Sequence, residues 1–85
     1  MRFRVSRHAE EEMKRRQIPL AMLDGVLQQP QQIVSQSGRK RVYQSKVDFG
    51  GGRVFLLRAV VDDANDQATV ITVYRTSKID KYWRR

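Results

Sequence analysis

The alternation of apolar and polar residues predicts a short strand and two helices in the first third of the chain. Phe3 and Val5 alternate with arginines, the period-two pattern of a strand with one apolar face. A helix is predicted from Arg7 to Gln17, because Ser6 is a good N-cap, glutamates come early and basic residues come late. A second helix is predicted from Pro19 to Gln29, with a core stripe formed by Leu20, Leu23 and Leu27.

The rest of the chain predicts strands separated by turns. Asp48-Phe49-Gly50-Gly51-Gly52 is a strong hairpin signal, and the acidic stretch from Asp62 to Gln67 predicts a second turn. Strands are predicted around Gln31–Ser35, Arg41–Val47, Arg53–Val61 and Ala68–Arg75. The order predicts one α+β domain, residues 1–85, with the N-terminal strand and two helices on one face of a three- to four-stranded antiparallel sheet. Beyond Ser77 we expect a short helix or loop lying on the sheet.

Pairing across the two turns predicts which side chains share a face. If Val47 pairs with Arg53 and Asp62 with Ala68, the helix side of the sheet holds Tyr43, Phe55, Leu57, Ala59, Val61, Ile71 and Val73. The opposite face then holds Lys40, Gln44, Lys46, Arg58, Thr72, Tyr74 and Thr76, mixed with Val42, Leu56, Val60 and Val70. We expect this second face to be open to solvent and cationic.

The charge balance narrows the classes of partner. The chain has 17 Lys and Arg against 9 Asp and Glu, a formal net charge of +8. Such a field attracts nucleic acid, an acidic membrane or an acidic protein, although cations on a small domain can also serve solubility alone. The absence of cysteine excludes disulfides, thiolate chemistry and cysteine zinc sites. The lack of cysteine also favours a cytoplasmic protein. No apolar run approaches the ~20 residues of a membrane span, so we expect no membrane partner. No metal or phosphate-loop motif appears, so we expect no metal or cofactor.

Arg58 and His8 are the sharpest candidates for chemistry. Arg58 interrupts an apolar strand, which is costly unless its guanidinium is paired or faces a wet cleft. It is either a clamp for phosphate oxygens or half of a structural ion pair with Glu10, Glu11, Glu12 or Asp24. His8, the only histidine, is predicted at a helix start, where the ring tends to stay neutral and can accept a proton. It is otherwise an ordinary surface or core residue.

The strand end and tail supply further candidates. Tyr74 and Thr76 offer hydroxyls to a ribose or a phosphate, or are ordinary strand residues. Tyr82 and Trp83 either stack a base or cap the core. Cations that add to the field, and that we predict to bind RNA phosphates, are Arg7, Arg39, Lys40, Arg75 and Lys78, with Arg41 in the same basic run as Lys40.

Four segments together resemble a small bacterial family, domain-of-unknown-function family 4258: Ser6-Arg7-His8-Ala9, Met13-Lys14-Arg15-Arg16-Gln17-Ile18-Pro19, Val26-Leu27-Gln28-Gln29-Pro30-Gln31-Gln32-Ile33 and Val70-Ile71-Thr72-Val73-Tyr74-Arg75-Thr76-Ser77-Lys78. That family is similar to the RelE, BrnT and colicin-type ribonuclease fold group. The resemblance implies a RelE-like fold and a type II toxin, with an acidic antitoxin-like protein as partner.

The resemblance also implies a metal-independent ribonuclease, in which the ribose 2′-hydroxyl attacks its own phosphate. His8 would then be general base or acid, Arg58 with Arg75 or Lys78 would stabilise the phosphate, and Tyr74 and Thr76 would position the ribose or share proton transfer. The alternative is a non-catalytic basic module that binds an acidic antitoxin-like protein or nucleic acid. In that case His8 is incidental, and charge reversals at Arg39, Lys40 and Arg41 matter more.

Overall fold

The computed structural model describes residues 2–63 and 66–85 and confirms the α+β class. The elements in chain order are β1 (Arg2–Val5), α1 (Arg7–Arg15), α2 (Leu20–Gln28), β2 (Gln32–Ser35), β3 (Lys40–Asp48), β4 (Val54–Asp62), β5 (Gln67–Thr76) and α3 (Ile79–Tyr82). The predicted helices and strands are therefore present, with ends shifted by one or two residues. Ala64 and Asn65 of the predicted acidic turn lie outside the described residues.

The strands form one five-stranded mixed sheet in the order β1-β5-β4-β3-β2. Strands β2 to β5 are antiparallel, as predicted, but β1 joins the same sheet parallel to β5, with Val5 opposite Val70. The expected three- to four-stranded antiparallel sheet is thus wrong in strand number and at this edge. Strands β1 and β5 are far apart in the sequence, so no turn between them could predict their pairing.

The β3–β4 hairpin keeps the predicted faces but not the predicted pairs. Gln44 lies opposite Arg58, whereas the sequence prediction placed it opposite Leu56. The shift is two residues, which leaves every side chain on its predicted face because side chains alternate with period two. A hydrogen bond in the loop accounts for this shift. The Phe49 amide donates to the Arg53 carbonyl at 3.0 Å, so Arg53 lies opposite Phe49 and not opposite Val47 as predicted. Gly50, Gly51 and Gly52 all have positive φ in this loop, which glycine adopts without steric cost.

A β-bulge in β5 changes the predicted faces near its start. Val60 pairs with Thr72 and Val61 with Val70, so Ile71 is the extra residue. The bulge turns Val70 into the helix-side core, where it is buried, and Ile71 is only half-buried; both placements differ from the prediction. Ser6 is hydrogen-bonded to this bulge, because its hydroxyl donates to the Ile71 carbonyl at 3.0 Å. The same hydroxyl accepts from the Ala9 amide at 3.1 Å. The N-cap of α1 is thereby fixed against β5.

The helices pack on one face of the sheet, which we call the helix-side face. Helix α1 ends where Gln17 takes a positive φ of 55°, and Ile18 donates its amide to the Met13 carbonyl at 2.8 Å. Ile18 then packs into the core with the buried residues of the helices and strands, Ala9, Met13, Leu23, Val26, Leu27, Tyr43, Leu57, Ala59, Val61, Ala68, Val70 and Val73. Leu20, predicted in this stripe, is 59% exposed, because α2 begins there with Pro19 as its N-cap.

The opposite face is covered, contrary to the expected open and wet surface. Val42, Leu56 and Val60 are buried there, and so is Arg58. The C-terminal segment, residues 79–85, lies over this face and is hydrogen-bonded to it. We call this the tail-side face and the segment the tail.

Candidate functional site

A row of polar side chains crosses four strands of the tail-side face. The pairing places Gln32 beside Gln44, Gln44 beside Arg58 and Arg58 beside Tyr74. Period-two alternation in β3, β4 and β5 points Gln44, Arg58 and Tyr74 toward the tail, while their neighbours Tyr43, Leu57, Ala59 and Val73 enter the helix-side core. The row is therefore a direct product of strand register.

The row is a continuous chain of hydrogen bonds. The Gln44 amide Nε2 donates to Gln32 Oε1 at 2.8 Å, and Arg58 Nε donates to Gln44 Oε1 at 2.8 Å. Arg58 Nη1 donates to the Tyr74 hydroxyl. Each of these hydrogen bonds gives a partner to a polar atom that would otherwise lack one beneath the tail. A network of this kind favours one arrangement of its side chains.

The tail is tied to the same row. Gln44 Nε2 also donates to the Tyr82 carbonyl at 3.2 Å. Gln32 Oε1 accepts from the Arg84 amide at 3.1 Å, and Gln32 Nε2 donates to the Arg84 carbonyl. The Tyr82 ring lies over the Arg58 guanidinium at 4.2 Å. Tyr82 therefore covers the row in this structure, and neither of the two alternatives predicted for it, base stacking or core capping, describes this contact.

Arg58 is a buried cation held by neutral groups. It is 8% exposed, and among the described residues no carboxylate pairs with it. The predicted structural ion pair with Glu10, Glu11, Glu12 or Asp24 is wrong, because Arg58 points to the tail-side face while α1 and α2 occupy the other. Tyr74 and Tyr82 supply aromatic faces and Gln44 a carbonyl, which offset part of the cost of removing the charge from water.

A second group of cations surrounds the end of the sheet where β3 ends, β4 begins and β5 ends. We call it the cationic end and define it by Lys46, Arg53, Arg75, Lys78 and Lys81. Lys46 Nζ lies 4.2 Å from the Trp83 ring centre, and the Arg75 guanidinium lies 4.5 Å from Phe49 and 4.8 Å from Phe55. Arg53 also approaches Phe55, at 5.7 Å. The strand register places Lys46 on the tail-side face and Arg75, beside Leu57, on the helix-side face, so this end of the sheet carries a cation against an aromatic ring on each face.

Two of the predicted phosphate-binding residues, Arg75 and Lys78, are at this end. Thr76 is there too, on the same cross-strand row as Lys46, and its Oγ1 accepts from the Lys78 amide at 3.0 Å. Sequence reasoning missed Lys46, Arg53 and Lys81 as members. Lys46 could have been found, because the sequence predicted that it shares a face with Thr76. The contact of Arg75 with Phe49 could not be predicted from the pattern of residues.

The predicted RNA-binding residues Arg39 and Lys40 lie at the opposite end of the sheet. Lys40 pairs across the strands with Asp62, at the start of β3. Arg39 forms an ion pair with Asp62 at 3.5 Å, and Arg41 forms one with Asp63 at 3.5 Å. This basic run is thus partly neutralised and is not brought together with Arg75 and Lys78.

His8 and Arg7 belong to the helix layer and not to the tail-side face. Both are exposed in the first turn of α1, whose buried face enters the helix-side core. His8 Nε2 lies 4.0 Å from Glu12, and the shallow concavity that it lines is otherwise formed by Glu11, Glu12 and Arg15 of the same helix. The structure does not group His8 with Arg58 and Tyr74.

The surroundings of Tyr43 change the pKa of its phenol. Burial raises the pKa of the Tyr43 phenol above its ordinary value of 10.0, and the hydrogen bond that it donates to Asp63, at 2.9 Å, raises it further. Tyr43 is in the helix-side core with its hydroxyl at the Arg41 end of the sheet. The phenol binds Asp63 just after the end of β4 and is not part of either polar group described above.

Comparison with known proteins assigns the chain to a family without assigning an activity. Within residues 2–63 and 66–85, no helix has the length and apolar character to cross a membrane, and no three His, Asp or Glu side chains gather as metal ligands do. No curated protein and no solved structure matches the chain. The sequence profile of one family matches residues 5–75, well over half of the chain, and this protein therefore belongs to the family described as domain of unknown function DUF4258.

Proposed function

We propose that this protein binds RNA through its cationic end. The observation that carries the proposal is the grouping of Lys46, Arg53, Arg75, Lys78 and Lys81 with aromatic rings at one end of the sheet. Phosphates bind cations and unstacked bases stack on aromatic rings, so an end of the sheet that carries both suits a nucleic acid strand.

The distribution of carboxylates supports this choice of surface. At the cationic end, Asp48 accepts from the Gly50 amide at 2.7 Å and Asp80 pairs with Arg85 at 3.7 Å. At the other end, Asp62 and Asp63 stand against the basic run. Two carboxylates, Asp48 and Asp80, thus stand against the five cations of the cationic end, so this end keeps an excess of positive charge that attracts a polyanion.

Salt dependence of binding tests the proposal. A labelled single-stranded RNA titrated with the protein should bind with a log affinity that falls linearly with log salt, by about 0.7 per neutralised phosphate. Lys78→Glu should weaken binding and flatten that slope, whereas the same change at exposed Lys14, on α1, should have little effect. Equal losses at the two lysines, or no complex at low salt, would contradict the proposal.

A second candidate function is metal-independent RNA cleavage, and Arg58 favours it. A buried guanidinium with no carboxylate partner among the described residues, beside the hydroxyl of Tyr74, is a suitable clamp for a phosphate. The Tyr74 oxygen accepts from Arg58 and keeps its own proton to donate. This is the activity implied by the resemblance to RelE- and BrnT-like toxins, but here it requires that Tyr82 leave Arg58, and it proceeds without His8 in the same group.

Product analysis separates the two candidates. RNA incubated with the protein in EDTA should acquire 2′,3′-cyclic phosphate ends if the chain cleaves it. Tyr74→Phe, which removes only a hydroxyl, should then abolish cleavage, and His8→Ala should not; loss in His8→Ala instead would restore the histidine to the site. Uncut RNA in a stable complex supports binding alone. An acidic antitoxin-like protein would compete with RNA for the same cations in either case.

A further inference from the structure

A pocket beside the tail has the size and lining of a nucleotide site. It is an open concavity of about 560 Å³ lined by Lys46, Ser77, Lys78, Ile79, Asp80 and Lys81, and Trp83 lies beside it and not in its lining. Lys46 joins it to the half-buried ring of Trp83, over which its ammonium lies. The side chains that line it are cations, one hydroxyl, one aliphatic residue and one carboxylate, and that carboxylate, Asp80, is directed to Arg85. We call this the Trp83 pocket.

We propose that the Trp83 pocket binds one nucleotide of single-stranded RNA, with the phosphate among Lys46, Lys78 and Lys81 and the base stacked on Trp83. The inference rests on the proposed RNA-binding function and adds the class of RNA and the place where a base is held. The volume is within the range of small-ligand pockets, roughly 300–1,000 Å³.

The contact between Lys46 and Trp83 is suited to exchange. A lysine over a half-buried tryptophan near the surface is a weak contact, whereas stacking a base on the same ring is a stronger one. A phosphate arriving in the pocket attracts the Lys46 ammonium, which vacates the ring for the base. Lys46 therefore contacts the Trp83 ring in the free protein and the phosphate in the complex. Binding of RNA gives both Lys46 and the ring a stronger contact than the one they make with each other.

Single strands fit this arrangement better than duplexes. A base in a duplex is stacked between its neighbours and presents no free face, whereas a base in a single strand can turn out and stack on an aromatic ring. An acidic peptide can meet the lysines, but its carboxylates have no ring face to place on Trp83.

The test uses Trp83 as its own reporter, because it is the only tryptophan in the chain. The full-length protein is titrated with a short labelled oligouridine and with duplex RNA of the same length, and both Trp83 emission and RNA anisotropy are recorded. The matched variants are Lys46→Gln and Lys40→Gln, which remove the same charge at opposite ends of β3. Trp83→Ala completes the set, and circular dichroism checks that each variant is folded.

The proposal expects the single strand to bind more tightly than the duplex and to quench Trp83. Trp83→Ala should weaken binding about tenfold to a hundredfold, and Lys46→Gln should weaken it clearly more than Lys40→Gln. RNA binding with unchanged Trp83 emission and equal effects at the two lysines would overturn the pocket and leave the RNA-binding function standing. Loss of all RNA binding at low salt would overturn both. Equal quenching by polyglutamate would assign the pocket to acidic peptides.

Discussion

The pair formed by Gln44 and Arg58 should show strong energetic coupling in a double-mutant cycle. Gln44 is fully buried, and its Oε1 accepts from Arg58 Nε at 2.8 Å. Gln44→Met removes this acceptor while Arg58 stays buried and charged. Leaving a buried charged donor without its hydrogen-bond acceptor typically costs about 3 kcal/mol. For 85 residues, total stability is roughly 4–13 kcal/mol, so this single change removes a large share of it.

Arg58→Met is expected to cost less, although it deletes more contacts. It loses the bonds to Gln44 and Tyr74 and the contact with Tyr82, and it leaves Gln44 Oε1 without its donor, which costs about 1–3 kcal/mol. It also removes a cation whose burial without a counter-ion is itself costly, by several kcal/mol. The two effects oppose each other, and we expect a net loss of about 1–2 kcal/mol.

The double variant then carries the decisive comparison. With both side chains replaced by methionine, no charge is stranded, so its loss should be smaller than the sum of the single losses by about 2 kcal/mol. Urea denaturation followed by circular dichroism measures all four proteins at constant slope. The exposed Arg39–Asp62 pair, at 3.5 Å, is the control cycle and should give under about 1 kcal/mol. Additive losses at Gln44 and Arg58, within about 0.5 kcal/mol, would refute the reasoning.

Three further predictions concern the fold. Ser6→Ala should cost about 1–2 kcal/mol of unfolding free energy in urea, because it removes the α1 N-cap and the bond to the β5 bulge; an unchanged midpoint would refute this. Leu23→Ala should cost about 2–5 kcal/mol and Leu20→Ala under about 1, since the first is fully buried and the second 59% exposed. The raised pKa of Tyr43 means that its neutral form is favoured in the folded state, so the stability it contributes is complete below pH 10.0 and is lost as the pH rises further. Tyr43→Phe should therefore flatten the alkaline fall in stability, and an identical slope in both proteins would contradict the raised pKa of Tyr43.

Local chemistry made much of the fold predictable. The triple glycine, the N-cap serine and the period-two alternation of side chains along β3 and β4 each act within a few residues. They predicted the hairpin loop, the helix start and the two faces correctly, although the residue pairs across the loop are shifted by two. The same alternation placed Gln44, Arg58 and Tyr74 on one face, so the polar row was accessible even though its pairs were shifted. Long-range choices were not accessible, because the parallel pairing of β1 and the bulge at Ile71 depend on contacts between distant segments.

The tail was predicted as a short helix or loop lying on the sheet, and α3 and its hydrogen bonds confirm this, but the face that it covers was not predicted. That face changes the interpretation of the site. The tail sequence has no helical or strand periodicity, so nothing indicated that Tyr82 would lie on Arg58 or that Arg84 would bond to Gln32. A face predicted to be wet became a buried one. The separation of His8 from Arg58 has a different cause. The β5 bulge was not predicted, and its hydrogen bond with Ser6 holds α1 on the helix-side face.

The two candidate functions make opposite demands on the tail. RNA binding at the Trp83 pocket needs the tail in place, because Trp83 and Lys81 belong to it and Gln32 and Gln44 hold it. Cleavage at Arg58 needs the tail away, because Tyr82 occupies the guanidinium face that a phosphate would approach. The polar row ties the tail with several bonds, and each must break before Arg58 is reached. The geometry therefore favours binding as the activity of the closed form, and cleavage would belong to a form in which an arriving strand or partner has displaced residues 79–85.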